Sequence, residues 1–388
     1  MKKHRLPWDY LITFVKTHRA IYILYYGLMT LFINLLKCFI KPEDELFLFV
    51  VYGGKTYADS PRCLYEAMKV DERFKKKKLV WAFRHPELFP NIPDKIKIDS
   101  FSYYVTALKA RCWITNESVT RALKFKGRNT FYFSTTHTAL PKLGGVDLKS
   151  GATFTSISDT KYDCTCAQSE AEKVIQLRKY GLKEDQVIVC GYPKNDIIAN
   201  HTEDDVKRIK EKLNINSHRK LILYAPTFRE RGLAPLHLNM ALWKNYLSKD
   251  YILLYRVHHS MLQDTNMVDC EDFVIDVSKY PDNTELLIVS DILISDYSGI
   301  FFEFGVQNKP MYCFAYDYDD YVNQRGLYVN LATELPGGNM SEQEFLDFFV
   351  NTSINTINQE VKSFREKYIT EYGDATARCL NIIDEHTH

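Results

Sequence analysis

The stretch Ser295–Gly305 reads SDYSGIFFEFG and follows the apolar run DILIS (291–295). It sets Asp296, Ser298 and Gly299 where a strand gives way to a helix. The first N–H groups of a helix lack partners inside it, and the helix dipole adds positive character there. Such a place suits an anion, phosphate above all. Ser298 can add a hydroxyl donor, and Gly299 lets backbone approach closely. Glu303, one turn on, can accept hydrogen bonds from a ribose diol. Asp296 and Ser298 are also ordinary helix caps, so this loop alone decides nothing.

Five other apolar runs end in the same manner. LFLFVVY leads into GGKTYADSP (53–61), with Lys55 and Asp59. TFYF leads into STTHTALPKLGG (134–145), with His137, Lys142 and Gly145. VIVC leads into GYPKND (191–196). LILY leads into APTFRERG (225–232), with Thr227 and Arg229. YILLYRV delivers Arg256 beside His258 and His259. Ligands of open parallel sheets bind past the carboxyl ends of the strands, so the recurrence favours a site over simple capping. The planar fork of Arg229 suits phosphate oxygens; a surface pair with Glu230 is the plainer alternative. His258 can neutralise charge on a leaving phosphate. His137 titrates near working pH and can take a proton from an attacking hydroxyl; a satisfied loop histidine is the alternative there.

These loops need a frame. Eleven short apolar runs alternate with amphipathic stretches such as EAEKVIQLRKYGL (170–182) and EDDVKRIKEKL (203–213). Runs that are apolar on both faces read as central parallel strands. Strand–helix alternation predicts an α/β fold with parallel sheets. The polar gap near residue 200 divides the runs into two series. The expected organisation is a lead segment at 1–43, a Rossmann-like acceptor domain at 44–200 and a Rossmann-like nucleotide-donor domain at 201–388.

With 388 residues, 46% hydrophobic and 26% charged, the chain can bury a sizeable core. A net charge of +1 gives no basic field for nucleic acid. Nine cysteines without a CxxC pair fit buried thiols in a reducing compartment. No carboxylate cluster suggests a dedicated metal cage; a Mg²⁺ escorting a diphosphate is compatible with the chemistry.

Ala20–Leu36 carries no charge and is flanked by basic residues. It is a little short of the roughly 20 residues a spanning helix needs, and no small-residue cleavage site follows. Tyr22, Tyr25 and Tyr26 suit a helix lying in the headgroup layer. A true span and a buried or partner-binding helix are the other readings.

Taken together, the boxes resemble the CDP-glycerol glycerophosphotransferases that build teichoic acids and related capsule polymers, over roughly residues 45 to 375. That family's His, with Lys five later and Gly eight later, stands here as His137, Lys142 and Gly145. Its Ala-Pro-Thr-Trp-Arg box appears as Ala225 to Arg229, with Phe228 for Trp. Its Arg-x-His-Pro appears as Arg256 to His259, with His259 for Pro. Its Ser-Asp-Tyr-Ser-Ser appears as Ser295 to Gly299, with Gly299 for the last Ser and Glu303 as the acidic residue beyond. Asp317, Tyr321, Arg325 and Gly326 keep an Asp-x-x-x-Tyr-x-x-x-Arg-Gly spacing intact. The segment after His137 departs most, reading Thr-Ala-Leu-Pro-Lys for Gly-Thr-Pro-Leu-Lys.

The resemblance implies two domains facing across a cleft in the GT-B manner, attached peripherally to the cytoplasmic face of the cell membrane. It implies transfer of glycerol phosphate from CDP-glycerol, or a similar polyol phosphate from CDP-ribitol, to a hydroxyl of a lipid-linked saccharide or polymer, with release of CMP. His137 would then be the general base. His258, Thr227, Arg229, Arg256, Ser298 and Gly299 would hold the diphosphate, and Asp296 and Glu303 the ribose or the loop. Lys55, Asp59, Lys142, Gly145 and Arg325 would line the acceptor side. A glycosyltransferase using a nucleotide-sugar shares the architecture, and a binding protein without catalysis is the reading from a different class.

Overall fold

A computed structural model of the chain describes residues 19–136, 140–144, 147, 162–227, 229, 238–257 and 270–388. The expectations for His137, Gly145, His258 and His259 fall outside the described residues. Two compact units are present. One takes Met1–His137, Gly151–Thr165 and Cys379–His388; the other takes Thr138–Ser150 and Cys166–Arg378.

All eleven apolar runs form strands, because residues apolar on both faces are stable only where helices cover both sides of a sheet. The first series gives β1 (Glu43–Val50), β2 (Lys78–Phe83), β4 (Ala110–Thr115), β5 (Phe131–Ser134), β6 (Cys164–Ala167) and β7 (Val187–Val189). A short edge strand, β3 (Lys95–Lys97), joins them in the order β3-β2-β1-β4-β5-β6-β7. Central β1 is buried from Leu46 to Val50 and pairs in parallel with β2 and β4. Large aromatic side chains fill this core: Phe49 stacks on Trp81 at 5.4 Å, and Trp113 meets Tyr132 edge-on at 5.1 Å.

The second series gives β8 (Lys220–Tyr224), β9 (Tyr251–Tyr255), β10 (Val274–Asp276), β11 (Ile292–Ser295) and β12 (Met311–Phe314). A two-residue strand, β13 (Gly337–Gly338), completes the order β10-β9-β8-β11-β12-β13, and its described pairings are parallel. This order makes β8, β11 and β12 consecutive neighbours, so the loops leaving them open side by side. The helices Glu170–Tyr180 and Glu203–Lys212 stand where amphipathic periodicity places them, the second opened by a Thr202–Asp205 capping box.

Seven of the nine cysteines are buried. At the N-terminal side, helix Arg19–Lys37 buries Ile33 and is pinned by Asn34, whose amide donates to the carbonyl of Lys124 at 2.7 Å. Its Leu24, Leu28, Leu31 and Leu35 are each more than half exposed. Among the described residues, no helix is long and apolar enough to cross a membrane. The spanning reading of the Ala20–Leu36 run therefore has no matching element.

Candidate active site

The neighbouring loops after β8, β11 and β12 are tied into one polar layer. Ser295 Oγ donates to the Ala225 carbonyl at 2.6 Å, and the Ala225 N–H donates to Ile294 O at 3.0 Å. The Thr227 N–H donates to Asp296 Oδ1 at 2.8 Å. Arg229 closes the layer. Its Nε and Nη2 grip Asp317 at 2.7 and 2.9 Å, and Nη1 donates to Thr227 O at 2.7 Å while lying 2.8 Å from Asp296 Oδ2. The guanidinium side chain is only 2% exposed. Rings of Tyr297, Tyr316 and Tyr321 surround it with centroids 5.1–5.3 Å away. Burial opposes its charge, but the charge of Asp296 and the hydrogen bond it donates to Asp317 outweigh that and hold it above the ordinary arginine value.

This differs from a guanidinium held open for phosphate. A buried arginine among carboxylates is stable only when its donors are satisfied, and here Asp317 and Asp296 satisfy them. Asp296 Oδ1 also accepts the Tyr297 N–H at 2.6 Å. Arg256 is likewise taken: its Nη1 donates to Val277 O and Tyr280 O, each at 2.9 Å, and burial lowers its pKa.

What the layer presents outward is softer. Ser298 is half-buried, and its Oγ accepts from the Ile300 N–H at 3.3 Å. Gly299 precedes the five-residue helix Ile300–Phe304 with ordinary right-handed φ of −63°. The Thr227 hydroxyl is buried without a hydrogen-bond partner among the described residues. An unsatisfied buried hydroxyl is a group that a ligand oxygen can satisfy. Glu303 lies one turn on, held 2.9 Å from Lys194 Nζ in a largely buried pair. Lys194 comes from GYPKND, whose Asp196 instead accepts the N–H groups of Gly373, Ala375 and Thr376.

The Asp317–Tyr321–Arg325–Gly326 spacing has a visible purpose. Asp317 and Tyr321 belong to the Arg229 layer, with Tyr321 stacked on Tyr297 at 3.9 Å. One turn further, the chain holds the segment that follows position 137. Lys142 bridges antiparallel to Leu327, and Leu143 N–H donates to Gly326 O at 3.2 Å. Tyr328 N–H donates to Pro141 O at 2.7 Å. Gly326 has φ +73°, and a Cβ there would lie 2.4 Å from Leu143 Cδ1, so only glycine fits. Lys142 Nζ sits 5.9 Å from the Tyr321 ring. Beside it, burial and the charge of Arg325 push Lys179 down to about 8, against the pull of Glu172.

In the other unit, Lys55 is exposed and Asp59 is not. Asp59 adopts φ +66°, and its carboxylate accepts from the Tyr52 hydroxyl, Asn116 Nδ2 (3.0 Å) and the Ser60 N–H (2.6 Å). Asp59 therefore shapes the loop after β1. The sequence reading missed the Tyr297–Tyr316–Tyr321 enclosure and Lys194. Only the four-residue spacing of Asp317, Tyr321 and Arg325, which puts them on one helix face, signalled any of it.

A family model described as CDP-Glycerol:Poly(glycerophosphate) glycerophosphotransferase matches residues 32–384. A teichoic acid poly(glycerol phosphate) polymerase of Staphylococcus epidermidis is 32% identical over 321 residues; the alignment covers 77% of this chain and 44% of that protein, so the chain spans less than half of its length. A teichoic acid glycerol-phosphate transferase of Staphylococcus aureus is 28% identical over 370 residues, covering 88% of this chain and 93% of that protein. Among solved structures, a variant of the wall teichoic acid polymerase TagF soaked with CDPG aligns with a TM-score of 0.79 at 26% identity, covering 97% of this chain and 98% of that one. With its two parallel α/β sheets and its ordered boxes, the chain belongs to the CDP-glycerol:poly(glycerophosphate) glycerophosphotransferase family of enzymes.

Proposed function

We propose that the protein transfers glycerol phosphate from CDP-glycerol to a hydroxyl of a lipid-linked or polymeric cell-envelope acceptor. The acceptor oxygen attacks the β-phosphorus in line, the bond from that phosphorus to the CMP oxygen breaks, and CMP leaves. Reactions of this kind need positioning and charge stabilisation more than covalent help. His137 takes the acceptor proton, and His258 steadies the leaving phosphate. The backbone and hydroxyls around Thr227, Ser298 and Gly299 receive the diphosphate, Glu303 faces the ribose, and Arg229 and Asp317 fix the loops that do this. Lys142 and Arg325 serve the acceptor side. The fold class is GT-B.

The observation that carries this reading is the family match over residues 32–384. The test is incubation with CDP-glycerol and with CDP-ribitol against a panel of lipid-linked acceptors, reading CMP and product mass. CMP with a product heavier by one glycerol phosphate supports it; no CMP from either donor overturns it.

The protein works on the cytoplasmic face of a membrane, with helix Arg19–Lys37 lying in the headgroup layer. Its support is the row Leu24, Leu28, Leu31 and Leu35, an apolar stripe turned to solvent. Changing Leu28→Glu and Leu31→Glu together is expected to reduce co-sedimentation with anionic lipid vesicles about tenfold or more. Equal sedimentation of the variant and the unmodified chain would remove the helix from this role.

A further inference from the structure

Two arginines that follow strands of the first sheet meet at one glycine. The loop after β1 turns through Tyr52 (φ +45°), Gly53 (+59°) and Gly54 (+78°). Arg84, just past β2, is fastened to it twice: its N–H donates to Gly54 O at 2.7 Å and its Nε to Gly53 O at 2.9 Å. Arg121, past β4, is fastened by Asp99, which accepts Nε and Nη2 at 3.1 and 3.2 Å. Both guanidinium groups converge over Gly53. A Cβ on that residue would lie 2.8 Å from Arg121 Nη1 and 3.4 Å from Arg84 Nη2. The glycine is required by backbone and by space, and what it makes room for is two arginines.

Two like charges held together ask for an anion between them. Asp99 answers for Arg121 only through Nε and Nη2. Asp59 is turned to Tyr52 and Asn116, and Glu117 acts on Arg121 through its field. Arg84 is exposed and meets no carboxylate among the described residues. Exposed Lys55 belongs to the same loop.

We infer that Arg84 and Arg121, converging over Gly53, bind a phosphate-ester oxyanion of the acceptor and thereby place its hydroxyl. This rests on the transfer reaction proposed above. Arg121 Nη1 and Arg84 Nη2, the nitrogens nearest Gly53, are placed to meet two oxygens of a phosphate ester.

The test uses the full chain and two independent readouts. In acceptor-dependent CMP release, Arg84→Gln and Arg121→Gln are each expected to raise the acceptor KM about tenfold or more, with the CDP-glycerol KM moved less than about twofold. Arg84→Lys retains part of the affinity, as a point charge without the fork. In calorimetry without turnover, inorganic pyrophosphate binds the unmodified chain and binds Arg84→Gln more weakly. Because Arg84 is exposed, its variant folds even if Arg121→Gln does not. Unchanged acceptor KM and unchanged pyrophosphate binding in Arg84→Gln overturn the site. Arg84-dependent pyrophosphate binding in a chain that releases no CMP overturns the transfer reaction instead and leaves the anion site standing.

Discussion

Arg229→Ala is expected to destabilise the protein by about 3–5 kcal/mol, lowering its melting temperature by roughly 5 °C. The change removes a cation whose side chain is 2% exposed and strands Asp296 and Asp317 without it. Buried carboxylates left alone either stay charged at high cost or take up a proton. The Thr227 carbonyl and three tyrosine rings lose their shared partner as well. Arg229→Lys is expected to lose most of the same stability, because an ammonium cannot reach both Asp317 oxygens and Asp296 from one plane. Thermal unfolding followed by far-UV circular dichroism measures both variants. A melting temperature within two or three degrees of the unmodified chain would mean that the Arg229 layer does not organise these loops.

The second large effect concerns chemistry rather than stability. His137→Ala is expected to lower CMP release by about 10²–10⁴-fold, the usual worth of a positioned general base, while CDP-glycerol binding stays within about twofold. The reasons are the His137, Lys142 and Gly145 spacing and the anchoring of Pro141–Leu143 against Gly326–Tyr328. Turnover and equilibrium binding measured on the same preparation separate the two quantities. A parallel loss of donor binding would assign His137 to the donor, and unchanged turnover would remove it from catalysis.

The fold was largely readable from the chain. Eleven runs of about five apolar residues could only be strands covered on both faces, and all eleven are. The two strands that escaped are KIK at 95–97 and the glycine pair at 337–338. Both lie at sheet edges, where one-sided pairing needs no apolar run, so periodicity carries no trace of them. The site was readable by residue type but not by partner. A fork-shaped cation after a strand suggested phosphate, yet Arg229 finds Asp317, 88 residues away in sequence. Glu303 finds Lys194 at a separation of 109. The first pairing is made by the sheet order, which places β8 beside β11 and β11 beside β12, and the second by helix Pro193–Ala199 packing on helix Ile300–Phe304; no local spacing encodes either. Arg84 and Arg121 drew no notice for a related reason: each is ordinary alone, and only the left-handed turn at Gly53 makes them a pair.

The inward commitment of Arg229 and Arg256 has a consequence for how the donor is held. Among the described residues at these strand ends, both guanidinium groups already face protein oxygens. What the described part of this layer turns toward solvent is the half-buried Ser298, whose hydroxyl is a dipole and not a full charge. Dissolved ions screen attraction between full charges over about 8–10 Å at physiological ionic strength. In the described part of this layer, added salt therefore has little to screen.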